Sequence, residues 1–456
     1  MNGNQPRSWW GRGSHNQIQV FPNVHTLGGP TVAGGGRIIV SSAGPGARMT
    51  RLLSARLRAG LLGVGCLLVA SCYDDNSYNF PAFWQGAGVV VADFDGDGNL
   101  DVAIAQSYIN GPPPHTGYVA IYLQTAPGTF AAPVRYRVGP DPWALAAGDL
   151  DGSGHVDLVA TLPSTAPGVP DSGAISILRH DPSHPGAFLT AQTMGTAGGG
   201  DAVAIGDVTG DGHADIAVAD GPISDAHAIL FVQSATSPGT FSAPVSLSLG
   251  ANRGSNDVAI HDMDGDGRGD IVLATTDGIA ILYDNGAGGF LSPVLLPAGI
   301  NPQGIAVADL DGDLRPDIVV ANAGYSPFGG SGGASVTVMR QIVAGSFAAS
   351  SITVPDGAVQ PVIADLDHDG LPDIAVLSFG FQGFNTPSQV SVLLQTASSR
   401  GSFSLAHTYN ATTSSNFMAA GDVNGDGYTD LVLNNPPSVM LQQTATPGTF
   451  VPPAGL

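Results

Sequence analysis

Short apolar runs recur in a fixed order from residue 88 to near the end of the chain. In each unit a run rich in Ala, Gly and Val is followed by a polar loop, a second apolar run and, after a Gly- and Pro-rich stretch, a third. Short runs with β-branched residues and bounding turn residues are typical of β-strands. A Gly-x-Phe turn or a close match then leads to a fourth, weaker strand, such as residues 133–138. The pattern predicts units of four strands.

Two sequence features occur once in each unit and so give the number of units. The polar loop reads D-x-D-x-D-G-x-x-D, or a near variant, and begins at Asp93, Asp149, Asp207, Asp262, Asp309, Asp365 and Asp422. The turn phenylalanines are Phe130, Phe188, Phe241, Phe290, Phe347, Phe403 and Phe450. Successive loops begin 56, 58, 55, 47, 56 and 57 residues apart, and this near-constant spacing indicates one repeated supersecondary unit.

Seven such units predict an all-β fold, a seven-bladed β-propeller of four-stranded blades whose polar loops join the first and second strands. An open solenoid is the alternative. We favour a closed ring because seven is a common number of blades and the sequence shows no polar capping repeat. The residues after Phe450 are few and include two prolines. We therefore predict that Tyr78 to Phe83 supplies the last outer strand, where Pro81 is tolerable at an edge.

The charge points to the same loops. The formal net charge is −22, and all 37 acidic residues are Asp. About two thirds of them lie in the seven loops, which favours ligand chemistry over a merely solvated surface because Glu would serve solvation equally well. A chain this acidic disfavours binding to nucleic acid or to anionic membrane surfaces. We expect a monomer.

We number each loop from its first aspartate as positions 1 to 9. Carboxylates at positions 1, 3 and 5, a backbone carbonyl at position 7 and the aspartate at position 9 can converge on one Ca²⁺, which prefers oxygen ligands. The candidate ligands are Asp93, Asp95, Asp97 and Asp101 in loop one; Asp149, Asp151 and Asp157 in loop two; Asp207, Asp211 and Asp215 in loop three; Asp262, Asp264, Asp266 and Asp270 in loop four; Asp309, Asp311, Asp313 and Asp317 in loop five; Asp365, Asp367, Asp369 and Asp373 in loop six; and Asp422, Asn424, Asp426 and Asp430 in loop seven. The sequence predicts up to seven calcium sites.

The loops are not equivalent. Loop two has Ser153 at position 5, and loop three has Thr209 at position 3. Loop five has Leu314 where a glycine would accept positive φ, so we expect an altered or strained turn there. We predict weaker binding at these three loops. Mg²⁺ is disfavoured because it needs a stricter octahedral shell.

Two other interpretations of the loops exist. An EF-hand ends in Glu at position 12 and lies between helices, whereas these loops end in Asp at position 9 between strands. Asp-Gly turns without metal are the second interpretation. Clustered carboxylates would repel one another strongly without a cation, which favours the metal.

Residues 78–456 resemble the FG-GAP and VCBS-type repeats of bacterial surface proteins and the calcium-loop blades of integrin α-subunits, because the whole D-x-D-x-D-G-x-x-D loop recurs between strands. The resemblance implies a seven-bladed propeller with calcium in the loops between first and second strands. The literal Phe-Gly and Gly-Ala-Pro signatures are mostly absent. Integrin-like partner binding is therefore not implied.

The N-terminal region divides in two. Residues 1–48 are rich in Gly, Asn and Ser, and we interpret them as disordered or as an extension upstream of a start at Met49. Residues 49–72 carry arginines, then a twelve-residue apolar run from Ala59 to Ala70, as in a secretory signal. The run leads into Val69-Ala70-Ser71-Cys72, which resembles a bacterial lipobox and predicts lipidation at Cys72; ordinary signal cleavage is the alternative. The propeller would then span residues 73–456 of an exported, membrane-anchored or otherwise secreted protein.

Three functions remain open. The first is a non-enzymatic calcium-binding scaffold or adhesion protein, with a protein or glycan as its unknown partner and a membrane contact through the lipid anchor only. The second is a calcium-dependent lectin, and the third is a polysaccharide lyase or hydrolase. We give little weight to Arg268-Gly269-Asp270, because Asp270 is position 9 of a loop, or to residues 329–333, which read G-x-S-x-G in a Gly-rich loop. Core packing is the expected role of Trp143, with sugar stacking as the alternative.

Overall fold

The computed structural model describes residues 83–456 apart from 110–115, 164–172, 197–198, 221–224, 252–253, 325–332, 356, 380–386 and 412–413. The predicted signal, the predicted lipidation site at Cys72 and residues 1–48 lie outside the described residues. Among those described, none forms a helix long and apolar enough to cross a membrane.

The described residues form seven four-stranded antiparallel sheets, or blades. Blade one contains β1 Phe83–Ala92, β2 Asp101–Ile109, β3 Thr116–Tyr122, the small hairpin of β4 Gln124–Ala126 and β5 Thr129–Phe130, and β6 Val134–Pro140. Blade two contains β7 Leu145–Gly148, β8 Asp157–Leu162, β9 Ala174–Leu178 and β10 Gln192–Gly195. Blade three contains β11 Ala202–Gly206, β12 Asp215–Asp220, β13 Asp225–Phe231 and β14 Val245–Ala251.

The remaining blades repeat this order. Blade four contains β15 Ser255–His261, β16 Asp270–Thr275, β17 Gly278–Leu282 and β18 Val294–Leu296. Blade five contains β19 Pro302–Ala308, β20 Asp317–Asn322, β21 Ser335–Val343 and β22 Ser346–Thr353. Blade six contains β23 Ala358–Ala364, β24 Asp373–Ser378, β25 Gln389–Gln395 and β26 Phe403–Asn410. Blade seven contains β27 Met418–Gly421, β28 Asp430–Asn434, β29 Pro437–Met440 and β30 Ala454–Gly455.

The first strands of the blades form a closed ring. Each first strand contacts the first strands of both neighbouring blades, and β1 of blade one contacts β27 of blade seven. This closure confirms the predicted seven-bladed propeller and excludes the open solenoid.

The outer strand of blade seven differs from the prediction. β30 pairs with β29 and supplies that strand, although it is only two residues long and follows two prolines. Phe83 of the predicted strand lies in β1, opposite Ile109 of β2, and residues 78–82 lie outside the described residues. Within the described part of the chain each blade is built from one continuous segment, and blades one and seven pack against each other.

The core lies between the blades. Among the described residues the buried apolar side chains form seven clusters, and each cluster joins two neighbouring blades. The second strands contribute most completely, since β8, β12, β16, β20 and β24 are buried along their whole length. Small residues in the first strands let those strands approach around the axis, where a Cβ on Gly206 would lie 3.0 Å from Cβ of Ile260.

The register between the first and second strands determines where each loop begins and ends. In every blade, the aspartate at position 9 is the first residue of the second strand and lies opposite the last residue of the first strand, as Asp101 lies opposite Ala92. The eight residues between them must therefore reverse the chain within one strand spacing. All seven loops consequently lie at the same end of their blades.

Candidate metal centres

The aspartate at position 1 organises each loop through backbone hydrogen bonds. In loop one, the N–H groups of Gly96 and Asp97 donate to Oδ1 of Asp93 at 2.7 and 3.2 Å, and the Gly98 N–H donates to Oδ2 at 2.9 Å. The bond from position 6 to Oδ2 of position 1 recurs in all seven loops. The carboxylate is thus held in place by the loop that it shapes.

Position 6 requires a left-handed backbone. The six loops with glycine there place it at positive φ, for example +88° at Gly98. Leu314 of loop five adopts the same conformation, with φ +67° and a side chain that is 91% exposed. The expected strain at Leu314 is therefore present, and at about 1–2 kcal/mol it is modest for a single residue.

The aspartate at position 9 is buried and accepts two backbone N–H groups. Asp101 accepts from Phe94 N–H at 2.9 Å through Oδ2 and from Gln124 N–H at 2.7 Å through Oδ1. The same pair of bonds, from position 2 and from the residue at the end of the third strand, is present in every blade. Each position 9 aspartate therefore joins its loop to the third strand of its own blade.

Burial perturbs these carboxyls. It raises the pKa of Asp101, Asp157, Asp215, Asp270 and Asp317 to about 6, and that of Asp373 and Asp430 to about 7. The two backbone N–H groups oppose the rise, and the negative charges at other loop positions add to it. A cation beside these carboxyls would favour the ionised form, so the loops are electrostatically suited to one.

Five loops bring three carboxylates together. In loops one, two, four, five and six, one oxygen from each of positions 1, 3 and 9 lies within 4.8 Å of the others. The groups are Asp93, Asp95 and Asp101; Asp149, Asp151 and Asp157; Asp262, Asp264 and Asp270; Asp309, Asp311 and Asp317; and Asp365, Asp367 and Asp373. In loops three and seven, Thr209 and Asn424 stand at position 3 and offer an uncharged oxygen instead.

Position 5 is not part of these groups. Oδ1 of Asp97 instead accepts the N–H of Asn99 at 2.8 Å, and the side chain of Asn99 donates to Oδ2. These hydrogen bonds lower the pKa of Asp97. The equivalent bond from position 7 occurs at Asp211, Asp266, Asp313, Asp369 and Asp426. The structure thus separates the predicted ligands into a converging set at positions 1, 3 and 9 and a loop-capping set at position 5.

The donor sets fit a hard divalent cation in most loops. Loops one, two, four and six each converge three carboxylates, and loops three and seven add a neutral oxygen to two, which matches the all-oxygen preference of Ca²⁺. Loop five does not fit. Its Asp311 and Asp313 both form ion pairs with arginine side chains.

A recurrent glutamine at the end of the third strand was not anticipated from the sequence. Its backbone N–H binds position 9 of its own blade, while its side chain can reach the preceding blade. Nε2 of Gln124 donates to the carbonyl of Val423 at 2.7 Å, across the junction of blades one and seven, and Nε2 of Gln341 donates to that of Met263 at 2.9 Å. Gln442 makes the same contact with Leu366. The available signal was its recurrence in five of the seven units, six residues before Phe130 and Phe347 and eight residues before Phe241, Phe403 and Phe450.

The Gly-x-Phe turn lies over the loop of the preceding blade. A Cβ on Gly448 of blade seven would lie 3.2 Å from Cβ of Asp367, and one on Gly186 of blade two would lie 3.1 Å from Cβ of Asp95. At the ring junction, a Cβ on Gly128 would lie 3.5 Å from Cβ of Asn424. In loops one, two, five, six and seven the residue at position 3 is therefore in contact with the turn of the next blade, and these five loops adjoin a blade junction.

Two other predictions concern single residues. Asp270 of the Arg-Gly-Asp sequence is 1% exposed and accepts N–H groups from Met263 and Asp284, so the tripeptide is not displayed as an adhesion motif. Trp143 packs edge-to-face against Phe417, with ring centroids 5.5 Å apart, which agrees with a packing role. Most of the G-x-S-x-G sequence at residues 329–333 lies outside the described residues.

Comparison with known proteins agrees with this architecture. The FG-GAP-like repeat profile matches residues 262–320, and the FG-GAP repeat profile matches residues 416–447. No curated protein sequence matches the chain.

Several solved structures share the general arrangement at low identity. The exotype rhamnogalacturonan lyase YesX is 12% identical with a TM-score of 0.47, covering 78% of this chain and 71% of that chain. An Agrocybe aegerita lectin that recognises non-reducing terminal N-acetylglucosamine is 19% identical with a TM-score of 0.43, covering 72% and 81%. A Bacillus licheniformis rhamnogalacturonan lyase is 12% identical with a TM-score of 0.44, covering 77% and 70%. Likenesses at this level carry no information on what this chain binds or catalyses. The two repeat matches place FG-GAP-type repeats within a closed ring of seven blades, which supports an FG-GAP-type seven-bladed β-propeller.

Proposed function

We propose that this protein is a non-enzymatic, extracytoplasmic β-propeller whose blade junctions are braced by Ca²⁺ and whose surface binds a protein or glycan partner. The observation that supports calcium is the recurrence of one group of three carboxylates, within 4.8 Å of one another, at the same place in the four blades whose loop acids have no arginine partner among the described residues, those of loops one, two, four and six. Positions 1, 3 and 9 would hold the ion in loops one, two, four and six. In loops three and seven, Thr209 and Asn424 would replace one carboxylate.

Each loop connects parts of the ring whose relative positions a bound cation would stabilise. Position 9 binds the third strand of its own blade, and in loops one, two, five, six and seven position 3 contacts the turn of the next blade. Bound Ca²⁺ would neutralise carboxylates that otherwise repel one another between these surfaces. The protein's own residues supply the remaining connection, through glutamines such as Gln124 that span the junction. Calcium would therefore stiffen the ring and fix the relative positions of loops that present a binding surface.

A scaffold accounts for the buried acids better than catalysis does. Raised carboxyl pKa values are often found at active sites. Here, however, the position 9 aspartates have both oxygens committed to backbone N–H groups, as Asp373 does with Leu366 and Gln395. Asp257, whose pKa burial raises to about 7, likewise accepts the N–H groups of Val258 and Ile305. These carboxyls hold the fold together instead of facing a substrate.

Export and anchoring belong to the same proposal. The sequence of residues 49–72 supports export across a membrane and a lipidated N-terminus at Cys72. The net charge of −22 argues against binding to nucleic acid, and we propose a monomer. Incorporation of labelled palmitate into the full-length protein, lost in Cys72→Ala, is the expected result. Secretion of soluble wild-type protein without label would support ordinary signal cleavage instead.

Calcium titration by calorimetry, combined with thermal melting in calcium and in chelator, tests the central proposal. We expect several ions bound per chain and a higher Tm in calcium, because a ligand that binds the folded state stabilises it. A Tm unchanged by chelator would exclude calcium bracing. A glycan array run with calcium separates the partners: selective sugar binding would make the protein a lectin, and its absence would favour a protein partner. Release of unsaturated sugars from polysaccharide would instead establish a lyase.

A further inference from the structure

Loop five differs from the other loops in having its acids paired with arginine. Nη1 of Arg340 lies 3.3 Å from Oδ2 of Asp311 at position 3, and Arg315 at position 7 forms an ion pair with Asp313 at position 5. The Asp311 side chain is only 15% exposed. Arg315 is also fixed by its Nε, which donates to the carbonyl of Gln341 at 3.1 Å. Two of the four loop acids therefore already have a positive partner.

Arg340 occupies a position that leucine holds at loops one and six. At loop two the same position holds Arg179, and a Cβ on Gly239 would lie 3.1 Å from both Arg179 Cζ and Asp151 Cβ, but the Arg179 guanidinium donates to the carbonyl of Gly239. At loop one, a Cβ on the turn glycine Gly186 would lie 3.2 Å from Leu123 Cδ2, next to Asp95. At loop six, a Cβ on Gly448 would lie 3.3 Å from Leu394 Cδ1, next to Asp367. At loop five, a Cβ on Gly401 would lie 3.2 Å from both Arg340 Nε and Asp311 Cβ. The arginine thus enters the same space between two blades, but it brings a positive charge to position 3.

A third arginine approaches loop five from the next blade. A Cβ on Gly312, at position 4, would lie 3.7 Å from Cζ of Arg400 in blade six. Eight arginines follow Cys72 in the sequence, and three of them, Arg315, Arg340 and Arg400, converge on this one loop. Their combined charge of +3 nearly balances the four aspartates of the loop. Leu314 at position 6 further separates this loop from the glycine pattern.

We propose that loop five is neutralised by these arginine side chains in place of a bound cation, so that the junction of blades five and six holds without calcium. The inference rests on the proposed calcium function for the other loops. It divides the ring into junctions that depend on the ion and one that does not. Loss of calcium would then loosen the propeller unevenly, leaving blades five and six together.

The matched variants Asp311→Asn and Asp367→Asn test this, because they change the same position in loop five and loop six. In chelator, Asp311→Asn removes the partner of Arg340 and lowers Tm by up to about 1 °C, since a partly exposed ion pair contributes little to stability. Asp367→Asn relieves repulsion within Asp365, Asp367 and Asp373, and it raises Tm or leaves it unchanged. In saturating calcium, the Asp311→Asn shift stays the same, whereas Asp367→Asn now lowers Tm.

The direction of the Tm change of Asp311→Asn in chelator decides the inference, even if no ion binds to any loop. A rise in Tm for Asp311→Asn in chelator would overturn it. If calcium has no effect on the wild-type protein, the proposed function fails, but the opposite signs of the two variants in chelator would still support arginine neutralisation.

A gain of binding supplies the second measurement. The triple variant Leu314→Gly, Arg315→Gln, Arg340→Leu makes loop five resemble loop one. We expect it to bind about one more Ca²⁺ per chain than the wild-type protein in calorimetry. Asp309→Asn in the otherwise wild-type protein should leave the number of bound ions unchanged. A loss of one ion in Asp309→Asn would show that loop five binds calcium and would contradict the inference.

Discussion

Asp373→Asn removes one charge from a carboxylate that both organises loop six and belongs to its acid group. Oδ2 of Asp373 accepts the Leu366 N–H at 3.0 Å, and Oδ1 accepts the Gln395 N–H at 2.7 Å, in a side chain that is 1% exposed. Asparagine keeps one acceptor oxygen but turns an NH₂ group toward the other N–H. One backbone donor is therefore left without a partner in a buried site, which costs about 1–3 kcal/mol.

Bound calcium makes a second contribution to the free energy of unfolding, and chelator removes that contribution. A site at 100 times its dissociation constant contributes about 2.7 kcal/mol to stability, and the variant loses part or all of that contribution. For a domain of roughly 370 residues the entropy of unfolding makes 1 kcal/mol equivalent to about 1.3 °C. We therefore expect Tm to fall by about 1–4 °C in chelator and by a larger amount, up to about 7 °C, in saturating calcium.

Differential scanning calorimetry of the wild-type protein, Asp373→Asn and the control Asp369→Asn, each in calcium and in chelator, measures both terms. Asp369 is at position 5 of the same loop, is exposed, and caps the Leu371 N–H. Asparagine can make the same bond, so we expect a shift below about 1 °C. Equal losses for Asp373→Asn in calcium and chelator would refute the binding of a cation by loop six. A Tm unchanged in chelator would refute the role given to the buried hydrogen bonds.

Two further predictions follow from the same contacts. The carboxyls at position 9 have folded-state pKa values raised to about 6 or 7, so the stability they contribute is full below pH about 4 and is lost as the pH rises through those values. Tm in chelator should therefore fall between pH 5 and 8, and it should fall less steeply in saturating calcium. A rise of Tm with pH in chelator would contradict the raised pKa values. Gln124→Leu leaves the buried carbonyl of Val423 without its donor at the junction of blades one and seven, which should cost about 1–3 kcal/mol and speed hydrogen exchange in both blades. Gln395→Leu is the control because the Gln395 amide donates to Pro372 of its own blade, and faster exchange across the one–seven junction in that variant would show that the effect is not specific.

The acid loops were predictable because their information is local. Nine consecutive residues place the carboxylate of Asp93 beside the N–H groups of Gly96 and Gly98, and the alternation of apolar runs with turn residues places that loop between two strands. The strained turn at Leu314 was also predictable, since φ +67° disfavours any residue with a Cβ and the loop pattern places a glycine there. Seven repetitions of the same local geometry then predict seven blades.

The outer strand of blade seven, β30, was not predictable in the same way. Ala454 and Gly455 are both exposed and follow two prolines, so nothing local marks them as a strand. They pair because β29 presents an open edge at that point, opposite Val439 and Ser438. The pairing depends on where blade seven ends, which is a property of the assembled sheet.

By itself, the sequence determined the fold class, the number of blades and the position of each candidate centre, because all three depend on short-range patterns that repeat. Only the tertiary structure decided which acids converge and what neutralises them. Gln124 contacts a residue 299 positions away, and Arg340 reaches Asp311 from 29 positions away, in the place that leucine holds at loops one and six. Such contacts are set by the packing of neighbouring blades, which no local pattern encodes. The charge balance of each loop is therefore a property of the ring and not of the loop alone.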